Sequence, residues 1–160
     1  MQLTIVRHAP ASARSASVPD RSRALTPKGT ERFRKAVTRL QHQGVRFESV
    51  WSSPWRRAIQ TAELMNPLTS GPIETTQLLS RTPGRRLLER LASHGGRYRS
   101  LALVGHEPWL SELVSLLLLG TGESADAFRL GKGSVCVLEG EPRPACMTLR
   151  SLQTLRQLRR

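Results

Sequence analysis

Three times along this chain a short, strand-like run stops at residues of catalytic type: Gln2–Val6 before Arg7-His8, Ser49–Ser52 before Ser53-Pro54, and Leu101–Val104 before Gly105-His106. Short runs of this kind, bounded by turn signals, read as strands buried in a parallel sheet. Helical patterns alternate with them. Thr26 can cap a helix that has Pro27 in its first position, and Phe33, Ala36, Val37 and Leu40 then share one face before Gly44. Ser53-Pro54 predicts the same start for a second helix, with Ala58, Ile59, Ala62 and Met65 inward as far as Asn66-Pro67. A third runs from Pro83 to Ser93, with Leu87, Leu88 and Leu91 inward, and is closed by Gly95-Gly96. A fourth begins near Pro108 and is almost wholly apolar through Leu119, which predicts a central position. Ile73–Thr76, Ser134–Leu138 and Met147–Leu149 read as further strands, the last two parted by the turn Glu141–Pro144. Ala9–Ala24 lacks periodicity and is read as a loop, and the basic tail Ser151–Arg160 carries no assignable pattern.

Strands alternating with helices predict an α/β fold: a three-layer α/β/α domain with a mainly parallel central sheet. The length suits one domain over residues 1–160. In open sheets of this kind ligands bind beyond the carboxyl ends of the strands, where Arg7-His8, Ser52-Ser53 with Arg57, and Gly105-His106 all fall.

Charge adds a weaker constraint. The net charge is +13, and of 25 basic residues all but Lys28, Lys35 and Lys132 are arginine, whose planar fork suits phosphate oxygens. Codon bias explains most of that excess, and nucleic acid is not the expected partner. Cys136 and Cys146 fit neither a disulfide framework nor a zinc site, so buried free thiols in a reducing compartment are expected. No secretory signal is evident, and the longest apolar run, Leu113–Leu119, is far too short to span a bilayer. The expectation is a cytoplasmic protein without membrane contact, and a monomer.

Transfer of a phosphoryl group needs positive charge and hydrogen-bond donors around a nucleophile in line with the leaving group. Arg7, Arg57, Arg23 and the two histidines His8 and His106 can supply these. Arg57 falls in the first turn of its helix, where side chain and free amides can face one anion. The chain has only two aspartates, Asp20 and Asp126, far apart in loops, which leaves few ligands for an aspartyl-phosphate or two-metal mechanism. A cysteine phosphatase needs an arginine six positions after its thiol, and here those positions hold Pro142 and Leu152. Histidine remains as nucleophile, with no metal and no cofactor expected.

Val6-Arg7-His8-Ala9 resembles the Arg-His-Gly signature of the histidine phosphatase, or phosphoglycerate mutase-like, superfamily. Leu25-Thr26-Pro27-Lys28-Gly29, the stretch from Ser52 to Ala62 and Val104-Gly105-His106 match the same family in order and spacing. The likeness spans residues 2 to about 119, and the size resembles the short branch that acts on phosphohistidine in proteins. The resemblance implies that neutral His8 attacks phosphorus while Arg7, Arg57 and His106 hold the oxygens. It also implies a further phosphate contact from Arg23, two residues before Leu25-Thr26, in preference to Arg21. Water then hydrolyses phosphorylated His8. Neighbouring arginines should help keep His8 unprotonated, and a phosphate-bound His106 could keep its proton.

Two departures bear on substrate. Ala9 replaces the commoner glycine and is expected to add a methyl group near the phosphate. The larger relatives place an acidic proton donor in the stretch corresponding to Gln77–Ser80, where this chain has none; Glu74 and Glu107 are near, and Glu107 is either a proton donor or a helix-start residue. An imidazole leaving group can be protonated on its own second nitrogen, so the missing acid favours phosphohistidine on a protein such as a phosphotransfer domain over a small phosphorylated substrate. A non-catalytic phosphate- or nucleic-acid-binding module is the reading from another class, and retention of His8 with its arginines argues against it. His42 and His94, in the last turns of their helices, read as structural. Arg56 reads as solvated, Trp51 as core, and Trp55 as bordering the opening.

Overall fold

The structure is a computed structural model that describes residues 1–95 and 97–159. β1 (Gln2–Arg7), β2 (Ser49–Ser52), β3 (Ile73–Thr75), β4 (Ser100–Gly105), β5 (Val135–Gly140) and β6 (Met147–Gln153) form one sheet in the order β3-β2-β4-β1-β5-β6. The first four strands pair in parallel, and β5 and β6 add an antiparallel edge. β1 and β4 lie at the centre in register, with Val6 opposite Val104 and Arg7 opposite Gly105, so His8 and His106 leave the sheet side by side.

Alternation along each strand splits the core in two. Leu3, Ile5, Trp51, Leu101 and Leu103 face α3 (Arg85–Gly95) and α4 (Trp109–Leu119), packing on Leu87, Leu91, Leu110, Leu113 and Leu117. Val6, Val50, Ala102 and Val104 face α1 (Pro27–His42) and α2 (Arg56–Leu64), packing on Phe33, Val37, Ala58 and Ala62. Helices on both faces of a mainly parallel sheet are the expected three layers.

Local chemistry explains most boundaries. Thr26 Oγ1 accepts the Gly29 amide at 3.0 Å with Pro27 in the first turn, and α1 ends before Gly44, whose φ is +78°. Any side chain at Gly29 would run into the Pro10 carbonyl, so this glycine lets α1 press against the loop that follows His8.

Several expectations are corrected. α2 starts at Arg56 rather than at Ser53-Pro54: the Ser53 hydroxyl meets His106 and the Trp55 amide, and Trp55 takes the N-cap position without a side-chain cap. Ile59 is only half-buried, as is Leu88. α3 begins at Arg85 instead of Pro83, and of its expected closing pair Gly96 lies outside the described residues. The loop Ala9–Ala24 contains a 3-10 turn at Asp20–Ser22. The unassigned tail adopts regular structure: Ser151–Gln153 extends β6, and the 3-10 turn Gln157–Arg159 plugs Leu158, 1 % exposed, into the α1 face of the core. Cys136 is buried, and burial pushes its thiol up to about 12; Cys146 is exposed, contrary to expectation, because it sits in the β5–β6 turn. Among the described residues no helix is long and apolar enough to cross a membrane.

Candidate active site

The carboxyl ends of β1, β2 and β4 open into a cavity of about 590 Å³ lined by Arg7, His8, Arg23, Arg57, His106 and Lys132, with Trp55 and Trp109 among its walls. The sheet builds this convergence. The His8 amide donates to the Gly105 carbonyl at 3.1 Å and the Ser53 amide to the Val104 carbonyl at 2.9 Å, locking three strand ends together.

His8 is 4 % exposed. Its Nδ1 lies 2.8 Å from the Ala9 carbonyl, and its Nε2 lies 3.1 Å from Arg57 Nε. A carbonyl only accepts and a guanidinium only donates, so Nδ1 carries the proton and Nε2 presents a lone pair. Burial lowers His8 to about 3; the bond to Ala9 opposes this, and Arg57, Arg7 and Lys132 add to it. Burial thus outranks the arginines that the sequence suggested as the cause. The Ala9 amide is held by Thr61 Oγ1 at 3.0 Å, and its methyl group is buried in the α1–α2 core rather than lining the pocket.

His106 lies with its ring centroid 5.2 Å from that of His8 and 4.4 Å from that of Trp55. Its Nε2 is 2.8 Å from Ser53 Oγ, which also accepts the Trp55 amide at 3.3 Å. With that oxygen accepting from the backbone, its own hydrogen is free to go to Nε2, leaving Nδ1–H as a buried donor without a partner. Burial foremost, then His8 and Arg57, hold His106 far below its ordinary value, so the ring is neutral.

The arginines are organised by Asp20, which the sequence reading left in a loop. One carboxylate oxygen accepts from Arg57 Nη2 at 3.0 Å, the other from Arg23 Nε at 2.8 Å, and the Asp20 carbonyl accepts Arg57 Nη1 at 2.5 Å. Burial would raise the Asp20 carboxyl, but hydrogen bonds and charge from Arg57 and Arg23 outweigh it and hold the group below its usual range. Arg23 also donates to the Ser12 carbonyl at 2.5 Å, and it lines the pocket where Arg21 does not. Arg7 Nη1 donates to the Leu130 carbonyl at 2.6 Å, while its buried Nε has no partner.

Glu107 resolves toward the helix start. Its carboxylate accepts the Ser111 hydroxyl at 2.7 Å and the Ser111 amide at 3.3 Å in the first turn of α4, and the Leu130 amide at 2.7 Å. Both of its oxygens therefore meet donors that tie the start of α4 to the Leu130 amide. Lys132 was missed altogether. The Gly133 amide donates to the Arg7 and His8 carbonyls at 3.1 and 3.0 Å, and Gly133 has φ +76°, which fixes the turn that presents Lys132; the signal was Gly131-Lys132-Gly133 ahead of β5. His42 and His94 are absent from the lining, and His94 packs edge-on against the fully buried Trp51 at 5.0 Å.

The pocket thus sets a buried imidazole, His8, among four arginines (Arg7, Arg14, Arg23 and Arg57) and Lys132, with the carboxylates of Asp20 and Glu107 beside them. The model of the histidine phosphatase superfamily, branch 1, matches residues 3–82, from the start of β1 to just past β3. The chain belongs to the histidine phosphatase superfamily. An uncharacterized protein of Picosynechococcus is 33 % identical over 137 residues, covering 82 % of each chain. The structure of the protein histidine phosphatase SixA complexed with tungstate is similar with a TM-score of 0.82 at 24 % identity, over 99 % of both chains. A putative alpha-ribazole-5'-P phosphatase from Escherichia coli is similar with a TM-score of 0.73 at 21 % identity, over 97 % of both chains. At these identities the two structures show the fold alone.

Proposed function

We propose that this histidine phosphatase removes phosphate from phosphohistidine on a protein, without a metal, through a phosphorylated His8 intermediate. The observation that carries the reading is the hydrogen-bond order at His8: Nδ1–H given to Ala9, and Nε2 left as the acceptor beside Arg57. The bond to Ala9 fixes the tautomer and supports the positive charge that grows on the ring as Nε2 bonds to phosphorus. Arriving phosphoryl oxygens take the Arg57 guanidinium from Nε2, which frees the lone pair for in-line attack. Arg7, Arg23, Arg57 and the His106 Nδ1–H hold the oxygens, and Lys132 adds charge at the rim.

In the first step the His8 Nε2–P bond forms and the P–N bond of the substrate breaks, its electron pair returning to an imidazole already protonated on its other nitrogen. In the second, water attacks phosphorus, the P–N bond to His8 breaks, and inorganic phosphate leaves. The two carboxylates that line the pocket favour this substrate. Asp20 is bound to Arg57 and Arg23, and Glu107 accepts from Ser111 and Leu130, so neither offers the proton that an alkoxide leaving group needs. A cytoplasmic, monomeric enzyme of phosphohistidine signalling fits this reading. Among the described residues no group of three or more His, Cys, Asp or Glu side chains is placed to hold a metal ion.

The test follows phosphate release from a histidine-phosphorylated phosphotransfer domain and from alkyl phosphomonoesters, with chelator present, for the natural sequence and His8→Ala. Selective release from the phosphoprotein, abolished by the substitution, is the expected result. Preference for the alkyl ester, or activity that survives His8→Ala, would overturn the proposal.

A further inference from the structure

A second groove, of about 740 Å³, adjoins the pocket and shares one wall with it: Trp55 lines both. Arg21 and Arg56 stand on it, Pro54 and the half-buried Ile59 form an apolar strip, and Glu63 lies two helical turns along from Arg56, about 10 Å away. Neither exposed arginine has an ion-pair or hydrogen-bond partner among the described residues, unlike Arg23 and Arg57 next to them. Arg56 also opens α2, where the helix dipole disfavours a cation, and the first turn holds no acidic residue to compensate. Two unpaired cations at the mouth of the phosphate pocket, backed by an aromatic and an aliphatic side chain, match a peptide that carries carboxylates beside an apolar residue.

We propose that this groove docks the phosphorylated partner protein: an acidic segment flanking the phosphohistidine lies along α2, its carboxylates on Arg21 and Arg56 and one apolar side chain on Ile59 and Trp55. This rests on the phosphohistidine reading and adds to it where protein specificity resides. Chemistry and docking are then separable, because none of Arg21, Arg56 and Ile59 lines the His8 pocket.

The test compares a histidine-phosphorylated phosphotransfer domain with the free amino acid phosphohistidine, using wild type, the double variant Arg21→Glu/Arg56→Glu and the milder Arg21→Gln/Arg56→Gln, all checked for folding by circular dichroism. Removing an acidic residue's partners at an interface rim weakens encounter, so KM for the phosphoprotein is expected to rise about tenfold or more in the charge-reversed variant and less in the neutral one, with kcat held. Turnover of free phosphohistidine stays unchanged. A phosphoprotein KM within about twofold of wild type in both variants overturns the docking groove, as does an equal loss on both substrates. A single-stranded DNA oligonucleotide that binds wild type but not the double variant, with phosphoprotein KM unmoved, overturns it in favour of a nucleic-acid surface. A wild type inert on both phosphohistidine substrates overturns the proposed function, and the docking inference falls with it.

Discussion

Replacing His8 with glutamine is expected to change how stability depends on pH, by an amount that follows from burial. In the folded protein His8 is held to about 3, whereas in the unfolded chain it titrates near 6.5. As pH falls through 6.5 the unfolded chain takes up a proton that the folded chain refuses, so stability declines from there and the decline stops only near pH 3. At about pH 5.0 the medium is about 1.5 units below the unfolded value, and at 1.36 kcal/mol per unit the loss is about 2 kcal/mol. His106, lowered in the same direction, contributes a loss of the same sign and window. Asp20 acts elsewhere: its carboxyl is held below the ordinary value of 3.8, so its contribution is lost only as pH falls through and below that range.

Glutamine does not titrate, and its amide oxygen can go on accepting from Arg57. Urea unfolding at about pH 7.5, 6.5, 5.5 and 5.0, at constant ionic strength and without phosphate, gives the stability of both proteins. The difference between wild type and His8→Gln, in which titrations uncoupled from His8 cancel and His106 stays lowered chiefly by its own burial, is expected to shift by about 2 kcal/mol against the wild type between the two ends. A difference flat to within about 0.5 kcal/mol would refute the reasoning, because it would mean that folded His8 takes up its proton near the ordinary value.

Leu158→Ala is expected to destabilise the protein by about 2–4 kcal/mol in urea unfolding, since the side chain is 1 % exposed in a packed core far along the tail; a loss under about 0.5 kcal/mol would mean the tail does not dock. Glu107→Gln should lower stability by about 1 kcal/mol while phosphohistidine turnover falls less than about threefold, because the carboxylate serves Ser111 and Leu130; a hundredfold fall in kcat with an altered pH–rate profile would restore it as proton donor. Asp20→Asn removes the charge that competes with an incoming anion for Arg57 and Arg23, so tungstate or phosphate should bind about fivefold tighter by calorimetry, and weaker binding would contradict that competition.

His8, His106 and Arg57 are legible because each stands close after a strand end, whereas Arg23, in the Ala9–Ala24 loop, is reached through the resemblance alone. His8 and His106 immediately follow β1 and β4, and Arg57 lies in the first turn of the helix after β2, so knowing the strands was enough to place all three at one edge of the sheet. Asp20 stands thirteen residues beyond β1 in a segment without periodicity, and its return to the pocket depends on long-range pairing. Ala11 bridges Leu25, the Ser12 amide meets the Ala24 carbonyl, and the Thr26 amide meets that of Pro10, none of which leaves a trace in spacing. Ser53 shows a subtler limit. A serine before a proline is a sound helix-cap signal, yet the Ser53 oxygen accepts only the Trp55 amide, before the helix, while its hydrogen goes to His106 from another strand, and the helix begins at Arg56 instead. Lys132 is hidden for a third reason, since its place depends on Gly133 bonding two carbonyls at the end of β1 rather than on β5, which it precedes. His8, His106 and Arg57 are therefore read from topology, whereas the groups that hold them, Asp20, Ser53 and Gly133, are tertiary choices. This is why mutating the latter group should tune anion affinity and stability before it abolishes chemistry.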